Sequence, residues 1–202
     1  MNLVQAMCDR KLFAPFFRGP SWDNWKIVLK ATCGMTLDRE ERAFFSTIAE
    51  RDPPKRPVRE FWAIAGRRAG KDSIASMICA HKASVPNYRP HVRPGEVPLV
   101  QCLAVDKTQA TIVKGYARAY FDKIPLLASL KTKKEQREGF LLSNGVELAV
   151  RASNFRVVTG AQTRSRSASG PSPAGAVPRA REQTSPAATA RYPLCVPLGG
   201  TR

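Results

Sequence analysis

Hydrophobic and polar positions in the first part of the chain follow helical spacing. Residues 21–33 carry an apolar stripe typical of an amphipathic helix, which includes Trp22 and Trp25, with Ser21 as a candidate N-cap. A second helix is predicted from Thr36, its candidate N-cap, to Glu50, where a proline-rich loop begins. These patterns predict an N-terminal helical region over residues 1–57.

Strands and helices alternate in the next part of the chain. Residues 58–65 have the composition of a buried strand, and residues 73–80 carry apolar side chains at helical spacing. A second strand is predicted at 98–105 and a long helix at 107–124. The positions of this helix expected to face inward are Ala110, Val113, Ala117, Tyr120 and Phe121. This alternation predicts an α/β fold, with parallel strands in a sheet flanked by helices.

Residues 140–150 predict a β-hairpin. Asn144 and Gly145 favour a two-residue turn because both residue types tolerate positive φ. Such a turn would set Leu141 opposite Leu148. The residues expected to share one face are Val146, Leu148 and Val150.

The composition changes sharply near residue 159. From Thr159 to Arg202, 35 of 44 residues are Arg, Ser, Pro, Ala, Gly or Thr, and Glu182 is the single acid. Such a segment buries too little apolar surface to offset the entropy of ordering it. We therefore expect residues 161–202 to form a disordered basic tail.

Composition also indicates the class of binding partner and the cellular compartment. The net charge of +17 points to a polyanionic partner such as nucleic acid, although a basic host proteome and a disordered basic tail could both contribute to it. The cysteines are scattered singly, and His81 and His91 are isolated, so no metal-type spacing is present. Without a signal-peptide core or a run of ~18 apolar residues, we expect a cytoplasmic protein with free thiols.

Residues 66–71, Gly-Arg-Arg-Ala-Gly-Lys, carry the clearest candidate chemistry. A strand, a glycine-containing turn, Lys71 and a helix follow one another, which is the order of a phosphate-binding loop. The usual pattern is G-x-x-x-x-G-K-[ST]. Here Ala65 takes the place of the first glycine, Asp72 that of the hydroxyl residue, and Ser73 follows one position later. The alternative is a solvated basic loop without a ligand.

With these features, residues 22–160 resemble the N-terminal ATPase region of the large terminase subunit of tailed phages, the motor that pumps DNA into capsids. The resemblance rests on the loop at 66–71, the strand–helix junction at 104–110, and the hairpin followed by residues 152–156. It implies an incomplete P-loop NTPase-like domain over residues 58–160.

The resemblance also implies roles for individual residues. Lys71 would bind the β- and γ-phosphates of ATP, and Arg67 or Arg68 would act as an arginine finger. Contact with the DNA backbone or loop packing is an equal alternative for these arginines. Mg²⁺ would be held by Asp72 or by Ser73. The residues expected to bind the nucleotide are Gly66, Arg68, Ala69, Gly70, Lys71, Asp72 and Ser73.

The chain departs from the family beyond residue 160. The family continues with an apolar strand ending in Asp-Glu and then a nuclease domain, and neither pattern occurs here. We therefore expect a chain that binds ATP but neither hydrolyses it nor cuts DNA by itself. One hypothesis is a frameshifted or truncated terminase whose native sequence ends between Arg156 and Gln162. The rival is a genuine basic tail that contacts DNA phosphates.

Three functions remain open at this stage. The first is the ATP-binding part of a DNA-packaging motor. Its expected partners are double-stranded DNA, the small terminase subunit, the portal and further copies in a homo-oligomeric ring, with no membrane. The second is a basic nucleic-acid-binding protein without nucleotide chemistry. The third is a small phosphoryl-transfer enzyme such as a kinase, which the missing acids and the positive charge disfavour.

Overall fold

The computed structural model describes residues 1–136, 138–153 and 193–197, which form a mixed α/β structure. The helices are α1 (Leu3–Cys8), α2 (Asp23–Thr32), α3 (Arg39–Ala49), α4 (Lys71–Ser84), α5 (Lys107–Lys123) and α6 (Pro125–Ala128). The strands are β1 (Glu60–Ile64), β2 (Leu99–Ala104), β3 (Lys131–Gln136), β4 (Gly139–Leu142), β5 (Glu147–Ala152) and β6 (Pro193–Pro197). No helix in these three ranges is long and apolar enough to cross a membrane.

Four strands form the main sheet, in the order β2-β5-β4-β3. Only β2 and β5 run parallel, whereas β5, β4 and β3 pair antiparallel. The expectation of a parallel sheet is therefore correct for one pair and wrong for the others. Strands β4 and β5 form the predicted hairpin. Strand β3, which was not predicted from the sequence, pairs with β4 as a third antiparallel strand.

The hairpin forms where the sequence predicts it, but its turn is longer. Gly145 N–H donates to the Leu142 carbonyl at 3.0 Å, and Gly145 has φ +88°, while Asn144 has no positive φ. This is the pattern of a three-residue loop, and it moves the register so that Phe140 opposes Leu148. The two-residue turn and the Leu141 pairing were wrong.

The side chain of Asn144 explains the longer turn. Its Oδ1 accepts from the Val146 N–H at 3.1 Å, and its Nδ2 donates to the Ala83 carbonyl in α4 at 2.8 Å. The amide thus ties the turn to the last turn of α4, a tertiary contact that local preference does not reveal. Val146, Leu148 and Val150, which were predicted to share one face of the hairpin, are all buried.

Strand β1 lies outside the main sheet. It pairs antiparallel with β6 and, within the described residues, with no strand of the four-stranded sheet. Its side chains alternate between exposed and half-buried, and Trp62 and Ile64 are 59% and 74% exposed. A strand is therefore present in residues 58–65, but the prediction that it is buried was wrong. Its two faces lack the cover that a place inside the main sheet would supply.

The expected disordered tail falls mostly outside the described residues. Residues 193–197 are the exception, because they form β6 against β1 and are extended rather than disordered. The sequence Pro-Leu-Cys-Val-Pro is the most apolar part of the tail, which suits a strand. Residues 156–162, where the frameshift hypothesis places the end of the native sequence, also lie outside the described ranges.

Helices α4 and α5 form the centre of the core. All five positions of α5 that were predicted to face inward are buried, which confirms that prediction. Helix α4 is buried nearly all round between α5, β2 and α1, with Ile74 and Met77 fully enclosed. One continuous apolar cluster joins these helices to Phe13 and Leu3 from the N-terminal region.

Two details of the N-terminal helices differ from expectation. Helix α3 begins after Asp38, whose side chain forms a reciprocal capping box with Glu41, so Thr36 is not its cap. Ser21 lies in a short 3₁₀ turn before α2 and does not cap that helix. Helix α1, which the sequence analysis missed, buries Leu3 and Met7.

Candidate phosphate-binding site

The loop between β1 and α4 has an alternating backbone conformation. Arg68 has φ +62° and Gly70 has φ +75°, both left-handed, while Ala69 between them has no positive φ. A non-glycine residue in this region costs roughly 1–2 kcal/mol, so the strain at Arg68 needs a structural reason. Alternation of this kind turns successive N–H groups toward one side and forms an anion-binding concavity, known as a nest.

Helix α4 continues directly from this loop and begins without a side-chain cap. Gly70 occupies its N-cap position, and none of the described side chains accepts a hydrogen bond from the first turn. At α3 and α5, by contrast, Asp38 and Asp106 each accept a first-turn amide at 2.8 Å. The first amides of α4, a helix of 14 residues, are therefore available to an external acceptor.

A cleft of about 380 Å³ lies over this helix start. Its walls are formed by Ser21, Trp22, Arg68, Ala69, Gly70, Lys71, Asp72, Ser73 and Tyr116. Every residue of the sequence-predicted nucleotide set except Gly66 is in this group. Gly66 and Arg67 lie outside the cleft wall, and both are exposed. The structure thus brings together residues 68–73 and separates them from the first two positions of the motif.

Charge in the cleft is mainly positive. Arg68 is exposed and Lys71 is half-buried, while Asp72 is the one carboxylate among the described residues that line the walls. Asp72 also lies close enough to β2 for its charge to act on Cys102. The pKa of Cys102 is lowered by a hydrogen bond with the Cys79 thiol, against the opposing effects of burial and of Asp72.

Hydrogen bonds from buried hydroxyl groups hold the first turns of α4 in place. Ser76 Oγ donates within α4 to the Asp72 carbonyl at 2.6 Å and lies 3.1 Å from the Val113 carbonyl of α5. Tyr120 in α5 donates to the Ser73 carbonyl at 3.3 Å, and burial raises the pKa of its phenol. The helix start is therefore held against α5 by these hydrogen bonds.

Two tryptophans of the N-terminal region contact the loop, and sequence analysis assigned them only to an apolar helix stripe. Trp25 Nε1 donates to the Ala69 carbonyl at 2.7 Å. The Trp22 ring lies against Gly70, where a Cβ would be 2.6 Å from Trp22 Cζ3. The spacing of the two residues was visible in the sequence, but the loop that they contact lies 44 positions from Trp25.

No protein-family model, curated protein or solved structure matches this chain. The loop, the helix start and the cleft are therefore the features that indicate a function.

Proposed function

We propose that residues 68–70 of the loop and the start of α4 bind the phosphates of ATP. The observation that carries the proposal is the uncapped first turn of α4, joined directly to left-handed Arg68 and Gly70 at the base of a cleft. N–H groups of a helix start and of a nest bind anions through hydrogen bonds and through the helix dipole.

Side-chain charge supports the same ligand. Lys71 is the first residue of α4 and lines the cleft, which suits contact with the outer phosphates. Of the two candidate arginine fingers, Arg68 lines the cleft and Arg67 does not, so the geometry favours Arg68. The left-handed backbone of Arg68 favours the same assignment, because strained backbone conformations cluster at binding sites.

Mg²⁺ fits this site as a companion of the nucleotide. No group of three or more metal-binding side chains occurs among residues 1–136, 138–153 and 193–197. Magnesium bound with a nucleotide usually takes one or two protein ligands, with phosphate oxygens and water completing its shell. Asp72 and Ser73, both half-buried in the cleft wall, are the residues that would hold it. The ion would neutralise phosphate charge there.

We further propose that the chain is the ATP-binding part of a phage DNA-packaging motor similar to the large terminase subunit. The support is the phosphate-loop sequence, the mixed sheet flanked by helices and the net charge of +17. In this proposal its partners are double-stranded DNA, the small terminase subunit, the portal and other copies in a ring, in the cytoplasm of the host cell. With Asp72 as the sole carboxylate from the described residues in the cleft wall, we propose binding without turnover.

A second candidate function is nucleic-acid binding without nucleotide chemistry. The observation that favours it is the exposure of Arg67 and Arg68 beside the uncapped helix start. In that case the nest holds a phosphate of the DNA backbone, and affinity falls steeply with salt.

Replacing Lys71 separates the two candidates. Calorimetric titration of the full chain with Mg·ATP should give saturable binding that Lys71→Ala weakens by about 10- to 100-fold. Lys107→Ala is the matched control, because Lys107 is also the first residue of a helix, but one that Asp106 caps. It should leave the ATP affinity unchanged.

The salt dependence of DNA binding tests the second candidate, nucleic-acid binding without nucleotide chemistry. If the wild-type chain binds no Mg·ATP, and Lys71→Ala lowers the salt slope of DNA binding by about one, the second candidate is correct. Equal loss of ATP binding in Lys71→Ala and Lys107→Ala would contradict both assignments of the cleft.

A further inference from the structure

Trp25 connects helix α2 to the loop before α4 through one hydrogen bond. Its indole Nε1–H donates to the carbonyl oxygen of Ala69 at 2.7 Å, across 44 positions of the chain. Trp25 is half-buried and does not line the cleft, so it approaches the loop from another side. A short, directional bond of this kind fixes the orientation of a single peptide group.

That peptide group is the one that presents the Gly70 amide. The bond between Ala69 and Gly70 is trans, so its C=O and N–H point in opposite directions. Holding the Ala69 carbonyl on Trp25 therefore turns the Gly70 N–H away from Trp25. The Gly70 N–H is the last donor before the free first turn of α4.

Trp22 fixes the same segment from the cleft side. Its ring occupies the space where a Cβ of Gly70 would lie, at 2.6 Å from Cζ3 and 2.7 Å from Cη2. Phe17 supports this ring edge-on, with centroids 4.8 Å apart, and Phe17 is itself buried in the core. The loop is thus held at one carbonyl and one Cα by two neighbouring indoles.

We infer that Trp25 is a positioning residue, which keeps the Gly70 amide directed toward the bound phosphate before the ligand arrives. This inference rests on the proposed phosphate-binding function. A loop that is ordered in advance loses less entropy on binding. Removal of the indole donor therefore lowers the affinity for the ligand, although Trp25 does not line the cleft. The N-terminal helices thereby become part of the binding site.

Trp25→Phe tests this role, because it retains an aromatic ring and removes the N–H donor. Trp62→Phe is the matched control, since Trp62 is 59% exposed on β1, away from the cleft. Both full-length variants are titrated with Mg·ATP and with tripolyphosphate, and the melting temperature of each is recorded. We expect Trp25→Phe to raise the Kd about three- to ten-fold for both probes, and Trp62→Phe to leave it unchanged.

The amide resonance of Gly70 provides a readout that a purely structural role would not move. In ¹⁵N-labelled chain, tripolyphosphate should shift this resonance strongly in wild type and only weakly in Trp25→Phe at equal saturation. An unchanged Kd and an unchanged Gly70 response in Trp25→Phe would overturn the inference, while ATP binding by the wild type would still support the proposed function. A wild-type chain that binds neither probe would overturn both.

Discussion

Trp22 and Gly70 approach each other so closely that no side chain fits between them. A Cβ on Gly70 would lie 2.6 Å from Trp22 Cζ3, and the φ of Gly70 is +75°. Glycine is therefore required at this position for two independent reasons, the left-handed backbone and the contact with the indole.

We expect Gly70→Ala to destabilise the chain and to weaken phosphate binding. The left-handed backbone and the displaced Trp22 ring should together cost about 1–3 kcal/mol. Urea unfolding of the full chain measures this loss, and titration with Mg·ATP measures the effect on the ligand.

Gly115→Ala is the control for that experiment. Gly115 lies in α5 with open space around its Cα, so alanine should stabilise the helix by roughly 0.5–1 kcal/mol. If Gly70→Ala stabilises the chain as Gly115→Ala does, neither the left-handed backbone nor the contact with Trp22 constrains position 70.

Arg68→Gly should separate stability from binding. Glycine removes the strain of φ +62° at a small cost in the entropy of the unfolded chain, so the net gain should be up to about 1 kcal/mol. The variant also loses a positive charge that lines the cleft, so the Kd for Mg·ATP should rise by roughly 10-fold. Chemical denaturation and calorimetry give the two quantities.

Arg67→Gly provides the comparison one position earlier. Arg67 has no positive φ and does not line the cleft, so glycine should lower stability by about 0.5–1 kcal/mol and change ATP affinity little. Greater loss of ATP binding in Arg67→Gly than in Arg68→Gly would assign the functional arginine to position 67.

Stability should fall in mild acid because of His81. Its side chain is 5% exposed, and burial, followed by the charge of Lys82, lowers its pKa from 6.5 to about 4. Between pH 6.5 and 4 the unfolded chain binds a proton at His81 that the folded chain does not bind. The free energy of unfolding therefore falls as the pH drops through this range, and above pH 6.5 His81 has no such effect. Over that range the loss should reach about 3 kcal/mol.

Urea unfolding at pH 7.5 and pH 5 tests this dependence. In His81→Gln the difference between the two pH values should shrink by about 2 kcal/mol, because the titrating group is gone. His91→Gln should leave the difference unchanged, because His91 is exposed. The assignment to His81 is wrong if both variants retain the wild-type pH dependence.

Sequence periodicity predicts burial correctly for elements that keep the same side toward the core along their whole length. Helix α5 has one buried stripe, and every position assigned to that stripe is buried. Strand β1 has an equally apolar sequence, but its burial depends on which strand lies beside it. That pairing is a tertiary property, and it leaves Trp62 and Ile64 exposed. The prediction of a two-residue turn at Asn144 is wrong for the same reason, because the Asn144 side chain is hydrogen-bonded to α4.

The candidate site divides in a similar way. The order of strand, Gly70, Lys71 and helix is local, so the sequence predicts a loop followed by a helix here, although its helical spacing begins at residue 73 and α4 begins at Lys71. The contacts of Trp22 and Trp25 with the loop are not local, and no pattern in the sequence connects them to residue 69 or 70. The missed residues are therefore those that support the loop.

The parallel pairing of β2 with β5 has a consequence for the order in which the chain folds. In the hairpin, Leu141 and Glu147 lie only about six positions apart, whereas Leu99 pairs with Glu147 from nearly fifty positions away. An eight-fold longer loop adds about 2 kcal/mol of closure entropy. We therefore expect the hairpin to close early and β2 to dock later, after α5 has shortened the gap between them.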